Sequence, residues 1–247
     1  MKFNALALTT LSLSLFAAAA PQKRQRAQVI DRCVEPKTVA LTFDDGPCYD
    51  ISKTLTDNGA KGTFFFSRCT WACIYDQDAS YQVKFAYSQG HQVASHTWRH
   101  ADLSQLSWDE IHDEMWRVEL ALSRIVGVTP AFMRPPFGSY NDQVLDASGL
   151  RGQDIVIWDF DSHDGDDNPP SPEEILDAYN QTLSGNPDTI LALHHEFNEG
   201  TAHIVLPQVA KMLKAAGYSM VTVAECLGKE PYQSVGEPGT PDGDWHC

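Results

Sequence analysis

The run "TVALTFDDGPC", residues 38–48, leads from an apolar stretch into two adjacent carboxylates, Asp44 and Asp45, and then into Gly46-Pro47. By composition, 38–43 is a buried strand, and an Asp-Asp-Gly-Pro sequence is ordinarily a turn or a helix cap. Two like charges at a strand end call for a partner, so the rest of the chain has to be read for one.

Short apolar runs recur at 38–43, 62–66, 91–95, 131–134, 154–160, 189–193 and 218–223, with helical patterns between them. The clearest helix covers 107–126, where Ser107 and Glu110 form a capping box and Ile111, Met115, Val118, Leu122 and Ile125 repeat at helical spacing. Gly59, Gly90, Gly127 and Gly217 sit where helices should stop. This alternation predicts an α/β fold: a distorted or incomplete (β/α) barrel, TIM-barrel-like, with parallel strands surrounded by helices. In such barrels the chemistry lies at the C-terminal ends of the strands.

The chain has 247 residues, 43% of them hydrophobic, enough for one sizeable core. Residues 1–20 read as a signal peptide and 21–26 as a short propeptide with basic trimming sites, leaving a domain of 27–247. Removing the four basic residues of this prefix takes the formal charge from −15 to −19, a surface unsuited to nucleic acid or anionic membrane. No later segment is apolar for long enough to anchor in a bilayer, so a soluble, secreted monomer is expected. Six cysteines in an exported chain read as disulfides, with Cys33 and Cys226 placed to tie the ends of the domain together. Asn180 opens an N-x-T glycan acceptor.

Polar clusters fall at the predicted strand ends: Asp44-Asp45, "SHTWRH" (95–100), "RPPFG" (134–138), "DSHD" (161–164) and "HHE" (194–196). His96 and His100 at H-x-x-x-H spacing share a face if the segment is a helical turn, and a carboxylate from another strand end completes a site for a divalent ion. Asp44 or Asp45 can supply it. Strand alternation sends adjacent side chains to opposite sides, so one aspartate ligates while the other faces the substrate. Arg134, stiffened by Pro135-Pro136, can orient a carboxylate through bidentate hydrogen bonds. One of His194 and His195 faces the cavity, with Asp161 or Asp164 as a partner that raises its pKa.

In this order, "TFDDGP", "SHTWRH", "RPPFG", "DSHD" and "LHHE" resemble the five motifs of the polysaccharide deacetylases, carbohydrate esterase family four, across about 38–227. "WACIYD" and "ECLG" are similar to the fungal chitin deacetylases within that family. The resemblance implies that Asp45, His96 and His100 bind zinc, or cobalt or another divalent transition metal, and that Asp44 is the general base. It also implies that Arg134 orients Asp44, that His195 is the general acid tuned by Asp164, and that the Phe137 N–H serves as an oxyanion donor. Leu193 would line the acetyl pocket. Two positions depart from the pattern: His194 stands where the family has serine, and Gly165 where it has a large aromatic, a loss expected to widen the acetyl pocket.

The expected substrate is chitin or its oligosaccharides, deacetylated to chitosan and acetate, with acetylxylan and peptidoglycan as alternatives. Tyr140 and Trp98 are candidates for stacking on sugars, as are Trp71 and Trp158. Rate should fall at acid pH as Asp44 protonates and at alkaline pH as His195 loses its proton. A non-catalytic carbohydrate binder would have no use for base, ligands and acid together. A glycosidase needs carboxylates roughly 5 to 9 Å apart, farther than a neighbouring pair shared with a metal.

Overall fold

The computed structural model describes residues 26–47, 51–68 and 72–247. The expected signal peptide, residues 21–25 of the expected propeptide, and Cys48, Cys69 and Trp71 lie outside these. Strands are β1 (Val29–Ile30), β2 (Thr38–Asp44), β3 (Thr63–Phe66), β4 (Gln92–Ser95), β5 (Val128–Pro130), β6 (Phe132–Met133), β7 (Asp154–Val156), β8 (Phe160–Asp161), β9 (Thr189–His195), β10 (Ser219–Val221) and β11 (Tyr232–Val235). Helices are α1 (Ile51–Asp57), α2 (Gln77–Ser88), α3 (Trp108–Val126), α4 (Asp142–Leu150), α5 (Pro172–Ser184), α6 (Leu206–Ala215) and α7 (Val223–Leu227).

The main sheet runs β1-β7-β6-β4-β3-β2-β9-β8 with β10 beside the first half of β2, and every pairing in it is parallel. It is the incomplete barrel that the alternating pattern predicts. The run 154–160 is not one strand. Its start, β7, lies near one edge of the sheet and its end, β8, forms the other edge, so 157–159 cross the gap without a ladder partner on both sides. The Val156 and Ile157 carbonyls there accept from Arg134 instead (both 3.1 Å).

On α3 the Glu110 carboxylate reaches back to the Ser107 N–H (2.9 Å) and hydroxyl (2.6 Å), and Gly127 leaves the helix at φ 78°. Ile111, Met115, Val118, Leu122 and Ile125 are all fully buried. Each such aliphatic side chain contributes about 1.5–3 kcal/mol by leaving water. Period-two alternation divides β2: Val39, Leu41 and Phe43 pack in the main core with α6 residues such as Val209, whereas Ala40 joins Phe65, Ala94, Phe132, Val156 and Leu191 in a second cluster. Thr42 and Asp44 continue the Ala40 side toward the strand's C-terminal end.

Cys33 and Cys226 are joined by a disulfide, as expected, and a second one links Cys73 to Cys247. Asn180 is exposed on α5. Among the described residues no helix is long and apolar enough to cross a membrane.

Candidate active site

Asp44 and His195 are register partners on the neighbouring parallel strands β2 and β9, as are Thr42 and Leu193. Paired residues project to the same side, so all four share one face at the mouth of the barrel. His194 takes the opposite face. It is fully buried, its Nε2 lies 3.1 Å from the Tyr179 hydroxyl, and burial pushes its pKa down.

Arg134 is wholly buried and spends its donors singly: Nη1 on Asp44 Oδ1 (2.8 Å) and Thr42 Oγ1 (2.7 Å), Nε on the Val156 carbonyl, Nη2 on that of Ile157. The bidentate clamp expected from the sequence is therefore absent. The guanidinium has two carbonyls to satisfy across the gap in the barrel. Its flat face lies over Phe65, 4.4 Å from the ring centroid.

The two aspartates do not diverge as a continuous strand would require. β2 ends at Asp44, and Asp45, at φ 69°, turns the chain so that both carboxylates approach His96 Nε2: Asp44 Oδ2 at 3.6 Å and Asp45 Oδ1 at 3.5 Å. Their partners separate them. Asp44 is engaged by Arg134, while Asp45 Oδ1 also lies 3.4 Å from His100 Nε2.

The His96–His100 segment is not a helical turn either. Thr97 (φ 65°) and His100 (φ 56°) are both left-handed, and this loop brings the imidazoles to 5.0 Å between centroids. His96 Nδ1 lies 2.8 Å from the Arg134 carbonyl. A carbonyl only accepts, so Nδ1 carries a proton, and Nε2 is the nitrogen left facing Asp45. Three donor atoms from Asp45, His96 and His100 lie within 4.8 Å of one another. Spacings of 3.4 and 3.5 Å match the edge of a tetrahedron built on metal bonds of about 2.0–2.1 Å. The donor set fits a divalent cation.

Opposite these, His195 Nδ1 donates to Asp164 Oδ1 (2.9 Å), and the His195 N–H donates to the same carboxylate (3.0 Å). Thr201 Oγ1 donates to Asp164 Oδ2 (2.5 Å), and Asn198 Nδ2 to the Asp164 carbonyl (2.8 Å). Burial works against a charged imidazole, but the bond to Asp164 and the fields of Asp44, Asp164 and Asp45 outweigh it and raise the His195 pKa to about 9. Asp161, the alternative partner, instead accepts from the His163 N–H (2.8 Å).

Phe137 is exposed, left-handed at φ 61°, and packs edge-on to His100 with centroids 4.8 Å apart; Tyr140 is also exposed. Leu193 is buried beside its register partner Thr42. Trp98 corrects an expectation: at 4% exposure, with Tyr75 6.3 Å away, it belongs to the core and offers no face to a sugar. Gly165 corrects another. A Cβ there would lie 2.4 Å from His195 Nδ1 and Cε1, so the imidazole already fills the space that a lost side chain was expected to open.

Sequence reasoning missed the supports: Thr42, Thr201, Asn198 and the fully buried Glu114, whose carboxylate holds the Arg99 N–H (2.7 Å). Thr42 was findable, since alternation puts it on the side of Asp44. Thr201 and Asn198 carried no motif.

A parallel half-barrel that gathers a buried Asp–Arg pair, a His–Asp pair and a cation-sized cluster of donors at its strand ends is the framework of a hydrolytic enzyme. Residues 31–156 match the polysaccharide deacetylase family. A chitin deacetylase of Pestalotiopsis sp is 35% identical, covering 90% of this chain and 76% of its own. The chitin deacetylase of Colletotrichum lindemuthianum is 32% identical over 94% of this chain and 98% of its own. The latter's solved structure superposes with a TM-score of 0.75, covering 84% of this chain and 94% of that one at 30% identity. A family 4 carbohydrate esterase from Streptomyces lividans, solved with acetate, is 28% identical with a TM-score of 0.65, covering 74% and 91%. The chain belongs to the polysaccharide deacetylase family, hydrolases that act on amide bonds and use a divalent metal.

Proposed function

We propose that this protein is a secreted, monomeric chitin deacetylase that removes N-acetyl groups from chitin or chitooligosaccharides and leaves chitosan and acetate. The observation that supports this most is the pairing of Asp44 with His195 across β2 and β9, each with its own buried partner, Arg134 and Asp164. The substrate follows the relatives named chitin deacetylases, and the two disulfides suit an oxidising compartment.

Asp45, His96 and His100 would hold the divalent ion, zinc or cobalt, which when bound polarises the acetamide carbonyl and acidifies a water. Asp44, oriented by its hydrogen bond from Arg134, takes a proton from the attacking water. The Phe137 N–H, with no backbone acceptor among the described residues, donates to the oxygen that gains charge at the acyl carbon. His195, protonated through the neutral range, gives its proton to the departing nitrogen, and Asp164 keeps the imidazole in place for that transfer. Leu193 lines the acetyl side of the cleft, and Tyr140 stands at its rim.

The test is mass-spectrometric: acetate loss from chitin oligomers, peptidoglycan and acetylated xylan, each with metal-reconstituted protein. Release from chitin oligomers alone supports the reading; faster release from either of the other two moves the substrate. No release from any of them returns the chain to a carbohydrate binder.

A further inference from the structure

Trp98 stands between His96 and His100 and anchors a segment that is no regular element. Left-handed backbone at Thr97 and His100 is strained for residues that carry a Cβ and persists only where the surroundings over-determine it. Some of that constraint comes from the barrel: Glu114 accepts from the Arg99 N–H and Nε, and the Trp98 carbonyl accepts from the Arg68 N–H (3.2 Å).

The rest comes from the C-terminal end. Tyr75 has its ring centroid 6.3 Å from that of Trp98 and 5.4 Å from that of Trp245. Arg124 lies over Tyr75 and donates through Nη1 to the Asp244 carbonyl (3.0 Å). Beyond β11 the chain is fastened to the end of α3, with the Gly236 N–H on the Gly127 carbonyl (2.8 Å) and the Gly239 N–H on that of Arg124 (2.7 Å). Cys247 is joined by a disulfide to Cys73, two residues from Tyr75. A segment outside the main sheet is loosely held unless it is tied down, and 236–247 is tied beside the aromatic pair that backs the ligand loop.

We propose that residues 236–247 form a strap that holds the 96–100 segment in its ligand geometry through Trp245, Tyr75 and Trp98, and so slows loss of the divalent ion. The part concerning the ion rests on the metal reading given under Proposed function; the part concerning the segment does not.

Two variants of the full chain test it, Trp245→Ala and the double variant Cys73→Ser/Cys247→Ser, against a control, Cys33→Ser/Cys226→Ser, that removes the other disulfide. Zinc-loaded protein is mixed with a chromogenic chelator, and amide hydrogen exchange at residues 98–100 is followed in metal-free protein. Both strap variants should release zinc about tenfold faster, in the range found when groups supporting metal ligands are removed. They should also exchange faster at 98–100, while the control does neither at temperatures where it stays folded. Zinc release at the wild-type rate, or unchanged exchange at 98–100 in both variants, overturns the strap. Should the wild type bind no zinc, the metal reading falls, and exchange alone decides whether the strap holds the segment.

Discussion

Arg134 and Asp44 form an ion pair with 2.8 Å between Nη1 and Oδ1 and with both side chains buried. Removing one charge from such a pair strands the other, at a cost of about 3–5 kcal/mol. Asp44→Asn keeps the shape and leaves Arg134 uncompensated. It should lower unfolding free energy by about that amount in denaturant titrations, abolish acetate release and spare metal binding by calorimetry. Turnover at the wild-type rate would remove Asp44 from the chemistry.

His195 makes the enzyme's pH response legible. Its folded pKa of about 9 exceeds the ordinary 6.5, so its stabilising contribution is complete below pH 6.5 and is lost as pH rises through about 9. NMR titration of the metal-free protein should show an imidazole titrating near 9. In Asp164→Asn that value should fall toward the ordinary one, and the alkaline limb of the rate profile should move down with it. An imidazole already titrating near 6.5 in the wild type would contradict the assigned partner.

The barrel and the five clusters at its strand ends were legible in the sequence because both rest on short-range signals, apolar periodicity and motif order. His195 pairs with Asp164 rather than Asp161, and of the two adjacent aspartates Asp44 lies on Arg134 while Asp45 lies beside His100, the neighbours that the motif order implies. What the sequence concealed were backbone conformations. Asp45, Thr97 and His100 are all left-handed without being glycine, so neither strand alternation nor helical spacing describes where their side chains go. Trp98 was misjudged because its exposure depends on Tyr75 and on Trp245, which lies 147 residues away in sequence. The split of 154–160 into β7 and β8 follows from the open edge of the barrel, which no local pattern encodes.

Metal dependence should appear in stability as well as rate. Zinc at a hundredfold excess over its dissociation constant should stabilise the folded protein by about 2.7 kcal/mol. Chelation should remove that increment together with acetate release, and added zinc or cobalt should restore both. His96→Ala removes a donor whose tautomer the Arg134 carbonyl fixes, and should lose the increment altogether. An undiminished zinc shift in that variant would displace the site from Asp45, His96 and His100.

Gly165 lies so close to His195 that even one methyl group has to move something. A Cβ placed there meets Nδ1 and Cε1 at 2.4 Å, well inside van der Waals contact, and the atoms it meets belong to the ring that bonds Asp164. Gly165→Ala should therefore push the imidazole off its 2.9 Å bond, lower kcat by at least about tenfold (about 1.4 kcal/mol in barrier) and shift the alkaline limb downward. Zinc affinity should stay unchanged, because the proposed donors Asp45, His96 and His100 lie at other strand ends. A wild-type kcat and pH profile in Gly165→Ala would mean that the backbone following β8 yields instead of the ring, and that the missing side chain is incidental to how His195 is held.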